Sequence, residues 1–315
     1  MHGRRLPRFA LLTGTRVASR SLLTAAAADV DADVARAIRE DVGTGDVTAR
    51  LVPATQAVSG TVICRDAAVL CGTEWFNAVF RRLDADVTVR WHAADGDVVA
   101  AGTVLCDVSG PARPILTGER TALNFLQTLS GTATATRRYV DALAGLSCVI
   151  LDTRKTLPGL RLAQKYATRC GGAQNHRLGL FDMVLIKENH IAAAGSIDRA
   201  VAAARIHAPG LPIEVEVENL HEFDAALAAR PDVIMLDELS RDDMRAAVRR
   251  NAAAGAPCRL EASGSVTLES IRDIAATGVD CISVGSLTKH LHAVDLSLRL
   301  KFGSSGPEST KSSPP

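Results

Sequence analysis

Arg154 with Lys155, Lys187, Glu216, Asp237, Ser263 with Gly264, and Gly285 occupy equivalent places in a recurring pattern: each stands at or just beyond the end of a short apolar run. The runs are CVILD (148–152), DMVLIK (182–187), PIEVEVE (212–218), DVIMLDE (232–238), CRLEASG (258–264) and CISVG (281–285). Gathered on one rim, these residues offer cations, two carboxylates and two glycine turns, which suits a highly anionic, phosphorylated substrate. The segment 152–177 adds Arg161, Lys165, Arg169, His176 and Arg177 against a single acid, Asp152. Arginine pairs with carboxylates through two parallel donors, so a planar substrate with two carboxylates fits this cluster. A solvated basic face is the plainer reading of such density, but Arg154 and Lys155 follow a buried run and are expected to point into the site. Lys187, in LIKENH, could meet phosphate as a point charge or form a Schiff base. Glu214, Glu216 and Glu218 alternate with valines and so share one face; three inward carboxylates require cations or a metal. Glu216 and Asp237 could hold Mg2+ or a ribose diol, whereas Glu214 is expected in a structural ion pair within the barrel. Ser263-Gly264-Ser265 and Gly285-Ser286 are each expected to open a helix, where backbone N–H groups bind phosphate. The chain has no H-E-x-x-H spacing, and no G-x-G-x-x-G follows a strand.

Residues placed this way need parallel strands to carry them. After residue 148, strand-like and helix-like stretches alternate, which argues β/α units. A parallel β/α barrel holds its site at the C-terminal strand ends, with phosphate after the last two strands. Only six strong strands are legible, so the barrel is expected to be open. Upstream, residues 30–41 read as an amphipathic helix with Val30, Val34, Ala37, Ile38 and Val42 on one side. VSGTVICRD, AVLCG, DVTVRW and TVLCDVSG alternate like antiparallel strands, with a helix at WFNAVFRRL (75–83). The stretch 119–143 reads as one long helix, or two joined near Gly131, with Leu123, Leu126, Leu129, Ala133 and Tyr139 on its apolar face. The piece DGDVVAAGTVL (95–105) looks like half of a biotinyl or lipoyl carrier motif, but no lysine precedes Lys155, so a carrier role is excluded.

Composition narrows the class. A chain of 315 residues suggests about two domains. A net charge of +1 gives no global pull toward nucleic acid or a membrane, so local charge must bind any anion. No run of apolar residues is long enough for a membrane span. The seven cysteines form no C-x-x-C pair and mostly sit in apolar runs, which suits a reducing compartment. Residues 1–28 carry five arginines and no acid. They are expected to be an unstructured extension, with a transit peptide as the alternative. The Ser/Pro/Gly-rich tail 303–315 is expected to be disordered.

The motifs DTRKTLPGLR, KYATRCGGAQNHRLGLFDMVLIKENH, ERTALNFLQTLSG and EASGSV are long and occur in a characteristic order. Through them the chain closely resembles the quinolinate phosphoribosyltransferases over about residues 30–302. That resemblance implies a type II phosphoribosyltransferase fold: an N-terminal α/β sandwich (29–130, completed by 287–302) and a C-terminal open parallel β/α barrel (131–286). It implies that quinolinate and 5-phosphoribosyl 1-pyrophosphate give nicotinate mononucleotide, pyrophosphate and CO2 with Mg2+, in de novo NAD synthesis in the cytoplasm. It implies a homodimer with a shared site, or a hexamer of dimers. Carried onto matching positions, Arg154, Lys155, His176 and Arg177 surround the quinolinate carboxylates, joined by Arg120 from the neighbouring subunit. Lys187 lies between the substrates, Glu216 and Asp237 lie at the ribose and Mg2+, and Ser263, Gly264, Ser265 and Gly285 hold the 5-phosphate. One departure is visible: many members have a second glycine where this chain has Ser265. Two readings from other classes stand beside this one. A Schiff-base lyase or aldolase barrel would use Lys187 covalently. A non-catalytic phosphoribosyl-metabolite binder would need Ser263 and Gly285 but not Glu216 and Asp237, which are both present.

Overall fold

The structure is a computed structural model, and it describes residues 30–302. The expected extension 1–28 and tail 303–315 lie outside the described residues. The chain folds as an α/β sandwich followed by an open parallel β/α barrel.

In the first part, helix α1 (30–42) is followed by β1 (Ala57–Cys64), β2 (Ala68–Val69), α2 (Thr73–Leu83), β3 (Thr88–Trp91), β4 (Val98–Val99) and β5 (Val104–Pro111). Alternating residues of β1 are buried (Val58, Gly60, Val62 and Cys64), the mark of a sheet with one face on a core. β1 pairs antiparallel with β5 and, on its other edge, with the last strand of the chain, β12 (Leu296–Phe302). The sheet order is therefore β12-β1-β5-β3, with β2 and β4 as a separate small ladder. Trp75, Phe76 and Phe80 of α2 and Leu105 of β5 fill the core beneath it. The Trp75 indole N–H donates to Asp33 at 3.2 Å, tying α1 onto α2.

Helix α3 (Ala112–Ala142) connects the two parts. It starts seven residues earlier than the expected 119 and runs unbroken through Gly131. Gly131 marks a close approach instead of a joint: a methyl there would overlap the His292 carbonyl oxygen on the returning segment. The barrel strands are β6 (Val149–Leu151), β7 (Val184–Ile186), β8 (Ile213–Val217), β9 (Val233–Asp237), β10 (Arg259–Ser263) and β11 (Cys281–Ser283). All pairings are parallel, in the order β6-β11-β10-β9-β8-β7. The first strand closes against the last, so the opening lies between β6 and β7, where a single bridge from Leu151 to Gln174 partly fills the gap.

That opening has a cause. The helix after β6, α4 (Arg161–Cys170), does not cover the barrel wall. Its Ala163 and Ala167 belong to the sandwich core, and its Tyr166 hydroxyl donates to Asp95 at 2.9 Å. The remaining barrel helices pack in the usual way: Phe223 of α7 (Leu220–Ala229) and Met244 of α8 (Arg241–Ala253) bury against Val215, Val217, Ile234 and Leu236. The other helices are α5 (Glu188–Ala194), α6 (Ile197–His207), α9 (Ile271–Ala275) and α10 (Ser286–Lys289). Among the described residues no helix is long and apolar enough to cross a membrane.

Candidate active site

The C-terminal ends of β6–β11 form one mouth, and the residues that carry the pattern meet there. β8 runs IEVEV with every residue buried. Its valines pack on helices, so Glu214 and Glu216 turn into the barrel. Glu218 does not join them: it lies past the strand end, is exposed, and uses its N–H on Glu222. Glu216 accepts a hydrogen bond from the Lys187 ammonium. Lys187 caps the start of α5 from the end of β7, while Glu216 is 9 % exposed. Asp237 ends the adjacent strand β9, half-buried.

Arg154 stands close enough to Arg177 to disfavour its charge. Arg177 is held below the usual guanidinium range by burial and then by Arg154. Neither forms an ion pair among the described residues, and the Arg154 Nε is buried without a partner. One Arg177 nitrogen donates to the Met183 carbonyl at 3.3 Å. Glu214 and Asp182 act on Arg177 only from beyond ion-pair distance, so two adjacent cations without a direct partner form a receptor for a dianion. Lys155 leans the other way: its side chain runs along Gly285, and a methyl on that glycine would press on the lysine stem. The Lys155 ammonium thus lies beside the glycine turn after β11.

The turn after β10 differs from expectation. Ser263-Gly264-Ser265 does not open a helix, since α9 begins only at Ile271. Gly264 has φ +97°, a left-handed conformation open to glycine, and a methyl there would overlap the Glu238 carboxylate. Ser265 adopts φ 28° and its hydroxyl donates to Glu238 at 2.7 Å. Gly285 directly caps the four-residue helix α10. Arg120 is exposed on α3 and bonds with none of these residues.

Beneath the mouth lies a polar interior that sequence reasoning only partly located. Lys165, counted above among the site cations, is fully buried and paired with Asp152 at 2.5 Å. Asp152 also accepts from the Thr168 hydroxyl, the Asn175 amide and the His176 N–H, so it anchors the segment that fills the barrel gap. Burial dominates both charges, raising Asp152 and lowering Lys165 against their mutual attraction. His176 meets Glu214 at 2.9 Å through Nε2, while its Nδ1 accepts the Arg177 N–H at 2.8 Å. Both ring nitrogens are engaged by the chain itself, and the side chain is 8 % exposed. A quinolinate carboxylate could therefore reach His176 only by displacing one of these bonds. Glu261 was missed altogether. Its one signal was a lone acid inside the apolar run CRLEASG, two residues before Ser263 and so on the same face.

The comparisons with known proteins agree with this architecture. The profile of the quinolinate phosphoribosyl transferase N-terminal domain matches residues 46–130, and that of the C-terminal domain matches residues 132–299. The chain is 42 % identical over 264 residues to a probable nicotinate-nucleotide pyrophosphorylase (carboxylating) of Synechocystis, covering 84 % of this chain and 90 % of that one. It is 42 % identical over 271 residues to the nicotinate-nucleotide pyrophosphorylase (carboxylating) of Mycobacterium leprae, covering 85 % and 95 %. The solved nicotinate-nucleotide pyrophosphorylase of Francisella tularensis superposes with a TM-score of 0.83 at 45 % identity, over 87 % of this chain and 96 % of that one. With both of its domains matched in order and its fold shared nearly end to end, the chain belongs to the quinolinate phosphoribosyltransferase family.

Proposed function

We propose that the protein is a carboxylating nicotinate-nucleotide pyrophosphorylase. It transfers phosphoribosyl from 5-phosphoribosyl 1-pyrophosphate to the ring nitrogen of quinolinate, releasing pyrophosphate and CO2. The observation that carries this reading is the adjacent Arg154 and Arg177, neither in an ion pair among the described residues, together with the Lys187–Glu216 pair at the strand ends. The arginines suit the two carboxylates of quinolinate. Gly264, Ser265 and Gly285, with Lys155 alongside, suit the phosphoribosyl end. A nicotinate-using relative would have one carboxylate for the two cations.

In the reaction the pyridine nitrogen forms a bond to the ribose C1 while the C1–O bond to pyrophosphate breaks, and the electron pair leaves with pyrophosphate. Positive charge develops on the ribose ring. Glu216 and Asp237, on neighbouring strands, would stabilise it. Lys187 carries the opposite charge toward the departing oxygens. The positive ring nitrogen then stabilises the electron pair left on the adjacent carbon when its carboxylate leaves as CO2, and that carbon takes a proton from solvent to give nicotinate mononucleotide. Glu216 and Asp237 are hard oxygen donors of the kind Mg2+ takes alongside substrate phosphates. Bound there, largely through the substrate, Mg2+ would neutralise pyrophosphate charge. A Schiff-base lysine needs an apolar pocket or a cationic neighbour. Lys187 instead has a carboxylate partner and is 42 % exposed, so lyase chemistry loses its support. The seven free cysteines suit a reducing, cytoplasmic setting. Arg120, exposed on α3, fits a homodimer in which the partner's Arg120 completes the quinolinate pocket.

The test is CO2 release from carboxyl-labelled quinolinate by purified protein with phosphoribosyl pyrophosphate and Mg2+. Nicotinate in place of quinolinate should give no nucleotide. Equal turnover of nicotinate, or no dependence on the phosphoribosyl donor, would overturn the reading.

A further inference from the structure

Glu261 lies on β10 in the interior of the barrel, 2 % exposed, and the reaction above does not use it. Around it are Glu214 from β8, His176 from the segment that fills the gap, and Cys281 and Ser283 from β11; Met235 of β9 faces its backbone and is not titratable. Arg259 of its own strand acts on it from further off. The His176 Nε2 lies 3.7 Å from Glu261 and 2.9 Å from Glu214, and one oxygen on each carboxylate is buried without a partner. Two carboxylates and one imidazole in a closed space cannot all be unprotonated and unpaired.

A histidine and two glutamates are also metal-ligand types. The backbone decides against a metal. The Arg177 N–H points at Nδ1, so Nδ1 must be the bare nitrogen and Nε2 must carry the ring proton. A metal on Nε2 would require the opposite tautomer. The ring proton therefore goes to Glu214. Burial opposes a second proton on His176, yet the Glu214 bond and the Glu261 charge draw one in and the net direction is upward; on the ring that proton could sit only on Nδ1, against the Arg177 N–H, so its place is Glu261. Burial, then the charge of Glu214, pushes the Glu261 carboxyl up to about 8.

We propose that Glu261 is a positioning residue for the quinolinate side of the site: as the proton-carrying member of a barrel-core triad with Glu214 and His176, it fixes the imidazole whose Nδ1 holds the Arg177 backbone at the mouth. The route is short. Glu261 stays neutral, so Glu214 keeps the Nε2 proton. Nδ1 then stays an acceptor, and Arg177 keeps its place beside Arg154. If Glu261 ionises, two adjacent buried carboxylates compete for the ring. The single Nε2 proton is then drawn toward both, and the ring is pulled off the line of its Nδ1 bond to the Arg177 N–H. This inference rests on the functional reading above for its substrate, but not for its protonation.

Two readouts test it, and the first needs no activity. In the ligand-free protein, 15N NMR of His176 should show the neutral Nε2–H tautomer at pH 7 and a change centred near pH 8 that Glu261→Gln abolishes. Metal analysis should find no stoichiometric ion on His176, Glu214 and Glu261. The second readout is kinetic. Glu261→Gln mimics the protonated acid and should stay within about 3-fold of the parent at pH 7 while losing the parent's alkaline fall near pH 8. Glu261→Ala should raise KM for quinolinate at least about 10-fold with the phosphoribosyl donor's KM nearly unchanged. The proposal is overturned by an imidazolium or Nδ1–H tautomer at pH 7, by a metal held on His176, Glu214 and Glu261, or by Gln being as damaging as Ala. Equal shifts in both KM values overturn it as well. Should Glu261→Ala not fold, the pH profile of Glu261→Gln decides alone. A parent protein inert toward quinolinate would sink the functional reading while the NMR result still judges the triad.

Discussion

Lys187 and Glu216 pair closely, each supplying the other's counter-ion. A substrate with a cationic transition state and an anionic leaving group would divide them, Glu216 turning to the ribose and Lys187 to the pyrophosphate. Such charges are preorganised, so removing one should cost rate more than affinity. Lys187→Ala is expected to lower kcat at least about 100-fold with the melting temperature nearly kept. Near-parental turnover in the folded variant would remove Lys187 from this role. Arg154 makes a different demand. Its Nε is buried without a partner, so the guanidinium is poised for a planar, two-pronged anion. Arg154→Lys keeps the charge and loses the fork. The expected result is a KM for quinolinate raised about 10-fold or more, with the phosphoribosyl donor less affected; the reverse order would move Arg154 to the phosphate end.

At the scale of elements, the barrel gap is the feature that most shapes the site. α4 leaves the barrel for the sandwich core, and the segment after it must fill the breach with little regular structure. The Asp152–Lys165 pair and its satellites hold that segment. Lys165→Met keeps most of the volume but leaves a buried carboxylate alone, a loss of about 3–5 kcal/mol. Urea unfolding would read it, and an unchanged midpoint would mean that the pair can be replaced without loss. The β10 strand makes a pH prediction. Glu261 holds its proton to about 8 in the fold, against 4.5 as the ordinary value. Between those values the folded chain binds a proton that the unfolded chain has released, so this group's contribution to stability falls as pH rises. The stability of Glu261→Gln relative to the parent should therefore grow across pH 5–8 and level off above; a constant difference would place the ionisation elsewhere. These elements were unequally legible in the sequence. The six barrel strands could be read because each is a short apolar run bounded by a polar end, and the strand-end residues came with them. The diversion of α4 could not be read, because Ala163 and Ala167 fit either core equally well. Lys165 was misplaced for the same reason: a lysine in a basic stretch carries no sign that Asp152 waits beneath it. Glu218 failed because alternation shows the facing of a residue but not where the strand stops.

At the scale of the molecule, the chain doubles back. β12 adds to the edge of β1, and the segment before it presses its His292 carbonyl onto Gly131 in the middle of α3. α3 is thus clamped by both parts, a rigid mount for whatever its exposed face carries. Arg120 is exposed on that helix and bonds with none of the site residues of its own chain. A cation on such a mount is available to a neighbour's site. In a two-fold dimer each mouth would combine its own Lys187 with the partner's Arg120. Arg120→Ala and Lys187→Ala should each be inactive alone. Mixed in equal amounts and allowed to exchange subunits, half of the dimers become hybrids. Each hybrid has one site lacking both residues and one site intact, so about a quarter of all sites recover. Recovery of that size, measured as CO2 release after exchange has been shown by native mass spectrometry, is the expected result. Exchange without recovery would mean that Arg120 serves its own barrel, and the shared site would have to be abandoned.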